Sequence, residues 1–162
     1  MSFVVFTGKV ENLWMSGYPL VSLFIQHSST LRWLDTDDFT GALARPTCSI
    51  LSSSLTRLIL HGSQEVERFT KQQEDALVLL TSLENLKFIF FRSLLCLPAG
   101  LHRLGNLKTS VIFHCNSLRS LPDDGLPSSL QVLYWRKSGN NELRMACKNY
   151  IRDQHPGIKL RI

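Results

Sequence analysis

The feature that most constrains this chain is a template of apolar residues that returns at long intervals. The pairs Leu97-Pro98 and Leu121-Pro122 stand 24 residues apart. The same shift lays Leu83 on Leu107, Phe88 on Ile112, Phe91 on Cys115 and Leu94 on Leu118. Apolar residues thus recur at offsets 0, 3, 5, 8, 11 and 14, with one break where Leu86 falls on Ser110. Leu55, Leu58, Leu60, Ser63, Val66 and Phe69 fill the template again, as do Leu20, Leu23, Ile25, Ser28, Leu31 and Leu34. Leu130, Leu133 and Trp135 begin a fifth copy, with Ser138 at offset 8. One such match is what an amphipathic helix or a lone strand also produces. Five copies, starting near 20, 55, 83, 107 and 130, point to a repeat architecture.

A unit this short cannot bury its apolar face alone, so neighbouring copies must stack. The wording Leu-x-x-Leu-x-Leu-x-x-Asn/Cys is that of a leucine-rich repeat. Offsets 3 and 5 lie on a short strand and point inward, because side chains alternate along a strand. Offset 8 turns the chain away and suits small residues, here Ser28, Ser63, Cys115 and Ser138, with Phe91 as the exception. The expected fold is therefore α/β: a solenoid bent as a horseshoe, with a short parallel sheet on its concave side and irregular loops and helices on its convex side. Residues 1–19 read as a degenerate or truncated first repeat, 20–138 as the repeats, and 139–162 as a C-terminal cap. The N-terminal stretch lacks a polar cap, which predicts a solenoid entered partway; a degenerate capping repeat is the alternative.

The connections carry their own signals. Thr70 and Gln73 make a capping box ahead of Ala76, Leu77 and Leu80, so a convex helix is predicted there. Pro98 and Pro122 end the regular segment, and Gly100 and Gly125 permit the turns that follow. Asp35 to Ser54 reads as an irregular excursion with a short helical piece. Asn140 or Asn141 is placed to cap a last helix whose apolar face is Leu143, Ala146, Cys147, Tyr150 and Ile151. "IKLRI" is a candidate final strand.

Function classes narrow by exclusion. No apolar run approaches the roughly 20 residues of a membrane span. The first residues lack a basic flank and a long apolar segment, so no secretory leader is expected and the compartment predicted is the cytoplasm, with the nucleus as an alternative. Cys48, Cys96, Cys115 and Cys147 are widely spaced and read as reduced thiols. The charge of +5 is spread along the chain, without the clustered Lys and Arg of a nucleic-acid tract. Asp35, Asp37 and Asp38 lack a second ligand group, and His114-Cys115 occupies a repeat turn. His27, His61, His102 and His155 fall at unrelated template positions, and no Ser lies in a Gly-x-Ser-x-Gly context. No catalytic, cofactor-binding or metal-binding residue is assigned.

A ligand would meet the outward strand positions, offsets 2, 4 and 6. These include Phe24, Arg57, Ile59, His61, Lys87, Ile89, Val111, Phe113, Tyr134 and Arg136. They are rich in apolar and aromatic residues for solvated positions, which suits contact with a protein. The alternatives are a register error that puts core residues outside, or burial against further parts of a parent chain.

The segments "LTSLENLKF", "LPAGLHRLGNLK", "HCNSLRSLPDDGLPSSLQVL" and "NNELRMACKNYI" resemble the C-terminal repeats of plant nucleotide-binding, leucine-rich-repeat disease resistance proteins, of the cereal coiled-coil type. The resemblance runs from about Ser22 to Ile162. It implies a non-enzymatic role in defence. The partner is then a pathogen effector, a guarded host protein, or the nucleotide-binding domain of a receptor. This chain has no Gly-x-x-x-x-Gly-Lys-Ser/Thr, so the family's nucleotide binding does not carry over. A regulatory or decoy fragment, and a remnant of a truncated receptor gene, are the other readings.

Overall fold

A computed structural model describes residues 11–16 and 30–162. Among them are seven strands: β1 (Asn12–Met15), β2 (Trp33–Thr36), β3 (Arg57–His61), β4 (Asn85–Ile89), β5 (Thr109–Phe113), β6 (Val132–Arg136) and β7 (Lys159–Arg161). They form one sheet in sequence order, every neighbouring pair parallel. Parallel neighbours oblige the chain to return to the same end of the sheet between strands. The returns carry helices α1 (Phe39–Ala42), α2 (Arg45–Leu51), α3 (Lys71–Leu77) and α4 (Asn141–Gln154), and a 3-10 turn at Leu101–Arg103.

The register explains the template. Leu13, Leu34, Leu58, Leu86, Ser110, Leu133 and Leu160 stand side by side across the sheet. Met15, Thr36, Leu60, Phe88, Ile112 and Trp135 form the next row. Both rows face the core, and most of their members are fully buried. Offset 0 supplies Leu55, Leu83, Leu107 and Leu130 at the strand entrances, also buried. Beneath the sheet, the rings of Phe39, Phe69, Phe88 and Phe91 pack with centroids 5.5 to 6.2 Å apart. Phe91 is the residue that breaks the small-residue habit at offset 8, and its neighbour across the sheet end is Gly62. A Cβ on Gly62 would stand 2.3 Å from Phe91 Cγ. The large residue in one repeat is thus matched by the absence of a side chain in the one before.

Backbone bonds hold the stack without regard to side-chain identity. One carbonyl per repeat accepts two N–H groups from the next: Arg32 O from Thr56 and Arg57, Thr56 O from Glu84 and Asn85, Glu84 O from Lys108 and Thr109. On the far side, a parallel bridge joins Cys96 to Ser120, inside the two Leu-Pro phrases. Gly100 (φ 79°) and Gly125 (φ 84°) follow in the left-handed conformation that the turns require. The predicted capping box forms in full: Thr70 Oγ1 accepts from Gln73 N at 3.2 Å and Gln73 Oε1 from Thr70 N at 2.9 Å. At α4, Asn140 Oδ1 accepts from Leu143 N at 2.8 Å, which settles the cap between the two asparagines.

Three expectations need correction. The repeat before β3 does not place Leu31 and Leu34 at offsets 11 and 14. Leu34 pairs with Leu58 on β2, so Leu31 and Leu34 are that repeat's offsets 0 and 3. Residues 20–28, with the expected strand around Leu23 and Ile25, lie outside the described residues. The excursion from Asp35 to Ser54 begins with the last two residues of β2 and then holds α1 and α2, so it is a regular return. On α4, Leu143, Cys147 and Ile151 are buried and Tyr150 half-buried, but Ala146 is exposed. The cap also ends in β7, which joins the sheet as its seventh strand.

Candidate functional site

One face of the sheet is filled by the core; the other is open. Its side chains stand in three columns fixed by the strand register. The first reads Asn12, Trp33, Arg57, Asn85, Thr109, Val132 and Lys159. The second reads Trp14, Asp35, Ile59, Lys87, Val111, Tyr134 and Arg161. The third follows at the strand ends with His61, Ile89, Phe113 and Arg136.

Of the ten candidate residues, Phe24 lies outside the described residues. The other nine fall on this face, so the register read from the template for β3 to β6 places them together. Arg57 and Arg136 are exposed; His61, Lys87, Ile89, Val111, Phe113 and Tyr134 are half-buried. Ile59 departs from expectation. It is only 7% exposed, so it serves packing and offers no contact surface.

The face has two electrostatic halves. Across β2 and β3, Asp35 Oδ1 bonds His61 Nε2 at 2.9 Å, and the Arg57 guanidinium lies 5.6 Å from the Trp33 ring centre. Asp37 accepts from Ser16 Oγ at 2.9 Å. Asp35 with His61 and Ser16 with Asp37 are thus paired here, while the buried Trp33 Nε1 has no hydrogen-bond partner among the described residues. From β4 to β7 the open-face positions include Lys87, Arg136, Lys159 and Arg161 and contain no carboxylate. Between those cations run Ile89, Val111, Phe113, Val132 and Tyr134.

A feature the template reading missed sits at the strand exits, one residue beyond the third column. Phe90, His114 and Lys137 occupy equivalent places in three successive repeats, and all three have positive φ, at 61°, 55° and 49°. Glycine or asparagine adopts that conformation cheaply; a bulky residue there carries strain of roughly 1–2 kcal/mol. Phe90 is nonetheless 39% exposed. Its ring stacks on His114 at 5.2 Å and meets Phe113 edge-on at 5.9 Å. A large apolar side chain is therefore held outward on a strained backbone, a combination that occurs at binding sites. The sequence signal was the run of Phe, His and Lys at offset 7, where small residues are the easy choice. Beside this cluster lies a hollow of about 610 Å³ bordered by His114, Asn116, Lys137, Asn140 and Arg144.

The groups set aside as chemistry are accounted for structurally. Asp38 Oδ1 accepts from Gly41 N at 2.9 Å at the start of α1. Cys48, Cys115 and Cys147 are buried, and burial raises their thiols to about 12, 11 and 11. Such thiols stay protonated and pack as small apolar groups. Among the described residues, no three His, Cys, Asp or Glu side chains come together as a metal site, and no helix is long and apolar enough to cross a membrane.

Comparison of the chain with family models, with curated proteins and with solved structures gives no match.

Proposed function

We propose that this chain is the leucine-rich-repeat part of a plant intracellular immune receptor, a horseshoe whose concave side is the open face of the sheet. On this reading it is a non-enzymatic recognition module that acts in the cytoplasm through protein contacts. The observation that carries the reading is the division of labour within each repeat. Leucine-type residues fill the core rows, while the residues between them form a surface of Ile89, Val111, Phe113 and Tyr134 edged by arginines. Aromatic and arginine side chains set in an apolar patch are what protein interfaces use as anchors. The wording of the Leu-Pro phrases and of the capping segment supports the assignment to disease resistance proteins.

The test is a variant carrying Phe113→Ser and Tyr134→Ser, in binding assays against effectors and against a receptor's nucleotide-binding module. Loss of binding with an unchanged unfolding midpoint supports the reading. Unfolding of the variant shows instead that these side chains belong to the core. Retention by the nucleotide-binding module alone favours the regulatory or decoy role over effector sensing.

A further inference from the structure

Resting on that reading, we infer that the β4–β7 half of the open face takes an extended acidic peptide segment that carries a large aromatic or aliphatic residue. Charge complementarity is the argument. Lys87, Arg136, Lys159 and Arg161 project from this half, with Lys137 and Arg144 beyond its edge. None of them makes an ion pair among the described residues, whereas Lys108 is held by Glu84 at 3.0 Å and Lys71 by Asp75 at 2.9 Å. Glu142, in the first turn of α4, forms no ion pair with any of them. A cluster of one sign repels itself and favours a partner of the other sign. Between the cations, Phe113 and the outward-held Phe90 offer an aromatic seat on which an apolar side chain would rest.

The size of the site follows from sheet geometry. Four strands about 4.8 Å apart span about 14 Å, which roughly five extended residues cross. A peptide running across the strands can therefore set carboxylates against Arg136 and Arg161 and a ring against Phe90 and Phe113. A single-stranded nucleic acid also carries negative charge. The aliphatic strip of Ile89, Val111 and Val132 favours a peptide, because bases stack on aromatic faces while phosphates need an unbroken cationic track.

The experiment is selection of random peptides of about twelve residues, displayed on phage, against the full chain. Binders enriched in Asp and Glu around an aromatic residue are expected. Synthetic copies should lose about tenfold or more in affinity to a variant with Arg136→Glu and Arg161→Glu. They should weaken likewise with Phe90→Asn, and not at all with Arg119→Glu on the opposite side of the fold. Affinity should also fall as salt rises from about 0.05 to about 0.3 M. Neutral or basic binders that still need Phe113 overturn the acidic partner and leave the open-face reading standing. Displacement of the peptides by an oligothymidine of similar charge also overturns it, in favour of nucleic acid. If no binder responds to any open-face substitution, both readings fall.

Discussion

Gly62 and Phe91 offer the sharpest test of how the repeats stack. A methyl group added at Gly62 would lie 2.3 Å from Phe91 Cγ and 2.4 Å from Cδ1. Non-bonded carbons rest at about 3.5–4.0 Å, so the ring must move by more than about 1 Å. It has no free direction, because Phe91 is fully buried and packs on Phe39, Phe69 and Phe88. The φ angle of Gly62 is outside the left-handed region, so the ring is the source of the cost. Gly62→Ala should destabilise by about 2–3 kcal/mol, in the range of core overpacking. For a chain of this size that is roughly 4–12 °C in Tm. Phe91→Ala should cost about 3–5 kcal/mol by opening a cavity. In that background the added methyl meets empty space, and Gly62→Ala becomes neutral or stabilises by about 0.5 kcal/mol through the unfolded chain. The double-mutant cycle in urea, followed by far-UV circular dichroism, should therefore show coupling of about 2–3 kcal/mol. Strict additivity would mean that Gly62 and Phe91 are not neighbours. The pairing of β3 with β4, and the alignment of repeats built on it, would then be wrong.

Ser138 Oγ accepts from the buried Cys115 N at 3.0 Å and donates to Arg136 O at 2.9 Å, so Ser138→Ala strands an amide and should cost about 1–3 kcal/mol in urea unfolding. The buried thiols of Cys48, Cys115 and Cys147 have folded pKa values raised above the ordinary 9.0. Their contribution is then complete below pH 9 and lost as pH rises toward 11 for Cys115 and Cys147 and toward 12 for Cys48, at about 1.4 kcal/mol per thiol per pH unit. Unfolding free energies measured across that window should fall, and less steeply in Cys48→Ala. Phe90→Asn removes backbone strain of about 1–2 kcal/mol and ring contacts of about 0.5–1.5 kcal/mol, so stability should stay within about 1 kcal/mol of the parent. A drop of several kcal/mol would make Phe90 a core residue.

The parts of the fold legible in the sequence are those where one residue type meets one geometric need. Apolar residues at offsets 0, 3 and 5 located β3 to β6 and, through strand alternation, the open-face columns. The Thr70–Gln73 box and the α4 cap are local chemistry, readable without tertiary information. The strand before β3 was hidden for two reasons. Leu31 and Leu34 are three apart, and both the offset pair 0 and 3 and the pair 11 and 14 accept that interval. At offset 5 the chain has Thr36, fully buried, whose Oγ1 accepts from Asp38 N at 3.0 Å. A hydroxyl satisfied by its own turn replaces an apolar residue without leaving an apolar signature. The covering of Ile59 and the outward hold on Phe90 depend on neighbouring repeats and on backbone conformation, which periodicity does not encode. The cationic half of the open face was scattered in sequence; pairing of β7 with β6 brings Lys159 and Arg161 beside Val132 and Tyr134.

On the proposed reading the open face, and not the rest of the surface, meets a protein. Site-specific photocrosslinking in plant-cell cytosol separates the two surfaces, with a photoreactive phenylalanine analogue installed either at position 134 or at position 119. A discrete protein adduct is expected from position 134 that disappears with Phe113→Ser, and none from position 119. Equal adducts from both positions, or an adduct at 134 indifferent to Phe113, would contradict that reading.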